Sequence, residues 1–191
     1  PGNYPDDPEL AQDKEVPDKN NKYWTSGNSG NIRGTDDEIL GNSNESVIFR
    51  GPGNSLSMDN NETGLFKGKA FYFDDGENSQ LKPIQIPKDS KLGLNSDQIL
   101  FYIDVELKAG NNNNQDDGKL CLNTSSENND EPGLVYFGKT VTLGKNKNNE
   151  EIIVESGAYN FPNEGICLPE DKNKLIPYVP KYDITDWNQI W

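Results

Sequence analysis

The apolar positions of this chain fall in short runs set among long polar stretches, and within the runs they alternate instead of recurring at helical spacing. In "ILFYIDVELK", residues 99 to 108, Ile99, Phe101, Ile103, Val105 and Leu107 share one parity. Tyr102, Asp104, Glu106 and Lys108 share the other, with Leu100 as the exception. A period of two predicts a strand with one buried and one wet face. Shorter runs of similar character are "SVIFR" at 46–50, "SLSM" at 55–58, "KLCLN" at 119–123, "EEIIVES" at 150–156, "AYNF" at 158–161 and "GICL" at 165–168. "LKPIQIP" at 81–87 is flanked by proline, which has no N–H for a ladder, and this places it at a sheet edge or outside the ladder. The turn sequences "GPGN", "DNNETG" and "DDGENS" separate these runs. About ten short strands with turn-rich connectors predict a mainly β fold, either an antiparallel sandwich or a β-solenoid-like domain, with long polar loops and little helix.

One pattern occurs twice, as "GLFKGKAFYF" at 64–73 and "GLVYFGKTVTLG" at 133–144. Taken as a strand, the second copy puts Val135, Phe137, Val141 and Leu143 on one face, with Lys139 among them. A lysine there is unfavourable unless the backbone bends, and Gly138 predicts a bulge that turns it away. Gly68 beside Lys69 predicts the same in the first copy. The echo is expected to mark two equivalent strands of one sheet or two adjacent coils. Residues 1–22 carry four prolines before any apolar cluster and read as an extended arm or linker, leaving 23–191 as a single β-rich domain.

Composition sharpens this picture. Only 31% of the 191 residues are apolar, against roughly 45–50% in ordinary globular domains, so the core is expected to be thin. The 8 Tyr, 7 Phe and 3 Trp, gathered into runs, argue against disorder along the whole length. With 18 basic and 32 acidic residues the formal charge is −14. Nucleic acid is then not an expected partner, because phosphate binding works through Lys and Arg releasing counterions. Contact of this region with an anionic membrane is disfavoured for the same reason. No run approaches the ~20 apolar residues of a membrane span, and no hydrophobic leader follows the first residue, Pro1. The chain reads as a soluble ectodomain, secreted or at a cell surface, with any targeting or anchoring segment removed.

Candidate chemistry is sparse. The absence of histidine excludes His-based triads and His-ligated metal sites. No nucleophile elbow, P-loop or dinucleotide fingerprint occurs, and the chain is not expected to be an enzyme. Calcium is the one cofactor left open. "DNNETG" places Asp59, Asn61 and Thr63 ahead of Gly64, and "NNNNQDDG" places Asn113, Gln115 and Asp117 ahead of Gly118. Ala70 and Thr124 stand where an EF-hand has its Glu, so both read first as turns. Cys121 and Cys167 each lie in a short apolar run. In an oxidising compartment they would pair across about 46 residues and stabilise the fold by roughly 3–4 kcal/mol; the alternative is two buried thiols. Trp24, Trp187 and Trp191, near Tyr23, Tyr178 and Tyr182 in sequence, are candidates for a sugar platform. The competing reading has Trp187 and Ile190 docking the C-terminus on the core.

"GLVYFGKTVTLG", "ESGAYNFPNEGICL" and the closing "ITDWNQIW" together resemble the soluble parts of minor type IV pilins and pilus-associated surface proteins of Gram-positive, Clostridium-like bacteria. The resemblance covers the last third of the chain and the first echo. It implies assembly or adhesion within a surface filament, without catalysis, beside other pilus or surface-assembly subunits. It also implies a long amphipathic helix, which would lie upstream of Pro1 because residues 1–22 are broken by proline. The expected function is a non-enzymatic structural or adhesive module of an extracellular surface assembly. The alternative is a secreted carbohydrate-binding, lectin-like module that takes a host or environmental glycan.

Overall fold

The computed structural model describes residues 32, 35, 37–50, 58, 61–74, 84–87, 89–109, 118–124, 131–145 and 148–179. The strands are β1 (Ile39–Gly41), β2 (Val47–Arg50), β3 (Thr63–Gly68), β4 (Phe71–Asp74), β5 (Ile84–Ile86), β6 (Lys91–Ser96), β7 (Leu100–Ile103), β8 (Leu107–Ala109), β9 (Lys119–Thr124), β10 (Gly133–Phe137), β11 (Val141–Lys145), β12 (Glu151–Val154), β13 (Gly157–Phe161), β14 (Ile166–Leu168) and β15 (Ile176–Pro177). One short 3-10 turn spans Lys172–Lys174.

These strands form three sheets, in the orders β1-β3-β6-β9-β14, β2-β4-β7-β10-β13-β15 and β5-β8-β11-β12. From β3 to β11, consecutive strands go to different sheets, and strands one coil apart pair in parallel: β3 with β6 and β6 with β9, β4 with β7 and β7 with β10, β5 with β8 and β8 with β11. The fold is mainly β with little helix. Of the two architectures open from the sequence, parallel stacking of this kind belongs to a three-sided β-solenoid. Met58 fills the third-sheet position of the first coil, bridging to Ile32 and donating its N–H to the Gln85 carbonyl at 3.0 Å.

The alternation expected over 99–108 survives from Phe101 onward, but not as one strand, and Ile99, expected on the buried face, is half-buried at the corner before β7. The run is cut at Asp104–Glu106 into β7 and β8, which lie in different sheets, while Phe101, Ile103, Val105 and Leu107 all stay buried. Parity in a solenoid separates the inside of a coil from its outside, and it carries through a corner. The echo is corrected on the same ground. Its first copy is β3, a corner and β4; its second is β10, a corner and β11. They turn between different pairs of sheets, so they are not equivalent strands. Gly68 and Gly138 sit at the corners, and Lys139 is exposed. A Cβ on Gly138 would come within 2.1 Å of Asp104 Oδ1.

Inside, rows of side chains stack from coil to coil. Phe49 lies on Phe73 with centroids 4.7 Å apart, and Phe71 on Phe101 at 5.7 Å with planes 9° apart. The buried polar residues Thr35, Ser90, Ser96 and Thr124 are all hydroxyls near strand ends. Each bonds backbone near a corner: Ser96 Oγ donates to the Lys69 carbonyl at 2.9 Å, which also accepts the Gln98 N–H at 2.8 Å, and Thr124 Oγ1 donates to the Asn163 carbonyl at 3.1 Å.

The coil after β11 runs backwards. β12, β13 and β14 lie antiparallel on β11, β10 and β9 in reverse order, so that this coil retraces the one beneath it, and β15 adds antiparallel on β13. Asn149, in the connection between β11 and β12, has a φ of 63°, a value that suits asparagine.

Ile99, at the corner between β6 and β7, also has a left-handed φ of 62°. That is unfavourable for a β-branched residue by about 1–2 kcal/mol. Its carbonyl accepts the Leu134 N–H at 3.0 Å, a bond that fixes the corner to the next coil. Ile99→Gly is therefore expected to raise stability by about 1 kcal/mol despite the freer unfolded chain. A denaturation midpoint below that of the parent would mean that the isoleucine side chain contributes more than its backbone strain.

Candidate functional site

Two outward sheet faces carry ordered rows of side chains. On the first sheet, register places Ile39, Leu65, Gly93 and Cys121 in one row, followed by Cys167. Lys67, Asn95 and Asn123 form the row on one side of it, and Thr63, Lys91 and Lys119 the row on the other. Gly93 supplies no side chain, and the gap is a shallow cleft of about 170 Å³ walled by Ile39, Leu65 and Cys121, with Lys91, Asn95 and Asn123 along its margins. A Cβ at Gly93 would sit 2.8 Å from Leu65 Cδ2 and 3.7 Å from Lys91 Cε. Asn95 Oδ1 is buried there without a hydrogen-bond partner. Lys119 Nζ lies 2.7 Å from Glu170 Oε1.

One end of this face is closed by the disulfide. Cys121 and Cys167 are directly opposed on β9 and β14, bonded, with Cα atoms 4.1 Å apart. That spacing suits a non-hydrogen-bonded antiparallel pair. The Cys167 N–H accordingly turns elsewhere and donates to Asp171 Oδ2 at 2.8 Å, while the Asp171 N–H donates to the Cys167 carbonyl at 2.8 Å. This backbone bond, helped by Lys174 at 3.4 Å and opposed by burial, holds the Asp171 carboxyl below its ordinary range. A depressed folded value means that the ionised group stabilises the fold above the usual carboxylate pKa of about 3.9, and that this is lost as pH falls through the lower, folded value. Asp171→Asn is expected to melt below the parent at neutral pH, with the gap closing in acid. A gap unchanged between neutral and strongly acid pH would assign the effect to shape instead of charge.

On the second sheet, Tyr72, Tyr102 and Tyr136 stand in register on three successive strands. The Tyr102 and Tyr136 rings are stacked, with centroids 5.1 Å and planes 22° apart; Tyr72 and Tyr102 lie at 6.1 Å and 43°. Rings stacked in this way turn their faces on each other and present edges and hydroxyls outward. The row is a cross-strand ladder that rigidifies the sheet, and its interior faces are not open to a sugar.

Of the site residues expected from sequence, Cys121 and Cys167 are brought together as a disulfide. Trp24, Trp187, Trp191, Asp59 and Asp117 lie outside the described residues. Asn61 is exposed in a turn with φ of 61°, and Thr63 opens β3, its carbonyl accepting the Thr35 N–H at 2.8 Å. Among the described residues, no three His, Cys, Asp or Glu side chains are grouped to hold a metal ion.

The cleft and the ladder were missed, although both leave sequence signals. "KLGLNS" and "KLCLNT" begin 28 residues apart, as do Thr63 and Lys91, and these are the strands that lie in register on the first sheet. "FYF", "FYI" and "VYF" mark the second sheet once per coil.

Fold and faces together define a class: among the described residues, a three-sided β-solenoid carrying a reversed, disulfide-clamped coil. Compared with protein families, curated proteins and solved structures, the chain matches none. Among the described residues no helix is long and apolar enough to cross a membrane. The disulfide is consistent with a secreted or extracellular setting.

Proposed function

We propose that this chain is a non-enzymatic structural or adhesive module of an extracellular surface assembly. The observation that carries the reading is the parallel stack itself, carrying a coil clamped through Cys121–Cys167. Such a stack displays regular side-chain rows on flat outer faces, and its stability comes from neighbouring coils instead of from a ligand. The finer reading is a minor pilin working beside other pilus subunits. It draws on the resemblance of three segments, two of which, "GLVYF" and "GAYNF", are hydrogen-bonded neighbours as β10 and β13. The test is location: protease shaving of intact source cells should release peptides of this chain with Cys121 and Cys167 still joined. Recovery only from the cytosol, with both thiols free, would overturn the extracellular module. A membrane-inserting helix of ~20 residues encoded upstream of Pro1 supports the pilin form; a cleavable secretion signal alone removes it.

A second reading, a carbohydrate-binding module, is favoured by the cleft over Gly93, where apolar walls adjoin amides and a lysine. Asp59, Asn61, Thr63 and Asp117, the residues expected for calcium, do not line this cleft, and Asp59 and Asp117 lie outside the described residues.

A further inference from the structure

We propose, resting on the carbohydrate-binding reading, that the cleft over Gly93 is a subsite for a single acidic sugar unit of the hexuronic acid class. Its size sets the first limit. At about 170 Å³ it falls below the roughly 300–1,000 Å³ of ordinary ligand pockets, so it takes one ring or a chain terminus. Ile39, Leu65 and the Cys121 side of the disulfide offer an apolar wall for the C–H face of such a ring.

The polar groups select hydroxyls. Asn95 Oδ1 is a buried acceptor with no donor, and an unmet buried acceptor is unfavourable until a ligand or a water supplies an O–H or N–H. Asn123, its neighbour in register, has its Oδ1 occupied by the Thr124 N–H at 2.8 Å, which leaves the amide N–H groups to donate. An acceptor and a donor side by side suit adjacent hydroxyls, each of which both gives and takes a hydrogen bond.

Charge then selects the acid. The chain carries a formal −14, yet no outward position of β3, β6 or β9 holds a carboxylate. Lys119 is paired with Glu170, whereas Lys91 has no carboxylate within salt-bridge reach among the described residues, and its stem lies over Gly93. Screening over roughly 8–10 Å at physiological salt keeps this local surplus distinct from the acidic whole. A ring bearing hydroxyls toward the asparagines and a carboxylate toward Lys91 answers all three features.

The experiment is titration of the uniformly 15N-labelled chain with sodium glucuronate, with glucose and sodium acetate alongside, read by amide chemical shifts. Saturable glucuronate shifts are expected at Gly93, Asn95 and Asn123, with glucose roughly threefold weaker, as for one exposed ion pair. Lys91→Met should bring glucuronate to the glucose level, and Gly93→Val should abolish the shifts while leaving the melting temperature close to the parent. Valine suits a strand, and the atom nearest its Cβ is the end of the flexible Leu65 side chain. Equal glucose and glucuronate responses, untouched by Lys91→Met, would overturn the acidic class; equal acetate shifts would reduce the site to an adventitious anion. Silence at the cleft with sugar-dependent shifts elsewhere would sink this subsite but leave the carbohydrate reading standing. Silence everywhere would remove both.

Discussion

Phe101→Ala is expected to lower the unfolding free energy by about 4 kcal/mol, within the range for emptying a fully buried phenylalanine site. Phe101 is completely buried on β7, a strand with parallel neighbours on both sides. Its ring lies on Phe71 at 5.7 Å and against Phe161 of the reversed coil at 5.8 Å. Removing it therefore uncovers partners below and above, and interior rows of stacked rings have little freedom to collapse into the space. The adjacent Tyr102→Ala is the control. It sits on the same strand with the opposite parity, its ring outside in the ladder, and should lose about 1 kcal/mol or less. Urea denaturation of the two variants measures the difference. Similar losses would mean that parity does not separate interior from exterior along β7.

Replacing Cys121 and Cys167 together by alanine should cost about 4 kcal/mol by the loop-entropy relation, given their sequence separation of 46. The effect is expected to be uneven. β14 reaches the first sheet through only Ile166, Cys167 and Leu168, so the reversed coil depends on the crosslink more than the parallel coils do. Hydrogen exchange of the variant should rise first in β12 to β14, while β3 to β8 keep their protection until global unfolding. A loss below 1 kcal/mol, or uniform loosening, would show that the reversed coil is held by its ladders alone.

The core was legible in the sequence at the level of single residues. Phe101, Ile103, Val105 and Leu107, and equally Val135, Phe137, Val141 and Leu143, are buried as their alternation predicts. Element boundaries were not legible, because alternation continues through a corner: Val105 points inward although it belongs to neither flanking strand. One expected strand became two in three places, at residues 64–73, 99–108 and 133–144. In "LKPIQIP", β5 is the last named strand of the third sheet, with Met58 beyond it donating to the Gln85 carbonyl. The candidate site fared worse. Its cleft depends on Gly93, a residue whose meaning lies in what is absent beside Leu65 and Cys121, neighbours that come from 28 residues away in each direction.

The sequence by itself thus determined which side chains face inward along each run and the formal charge of −14, because those are local or additive properties of the chain. Parallel or antiparallel pairing, the reversal between β11 and β12, the opposition of Cys121 to Cys167 and the meeting of Lys91, Asn95 and Asn123 around Gly93 were decided by tertiary structure. Each of these depends on which coil lies beside which, and a period of two carries no information about a partner strand.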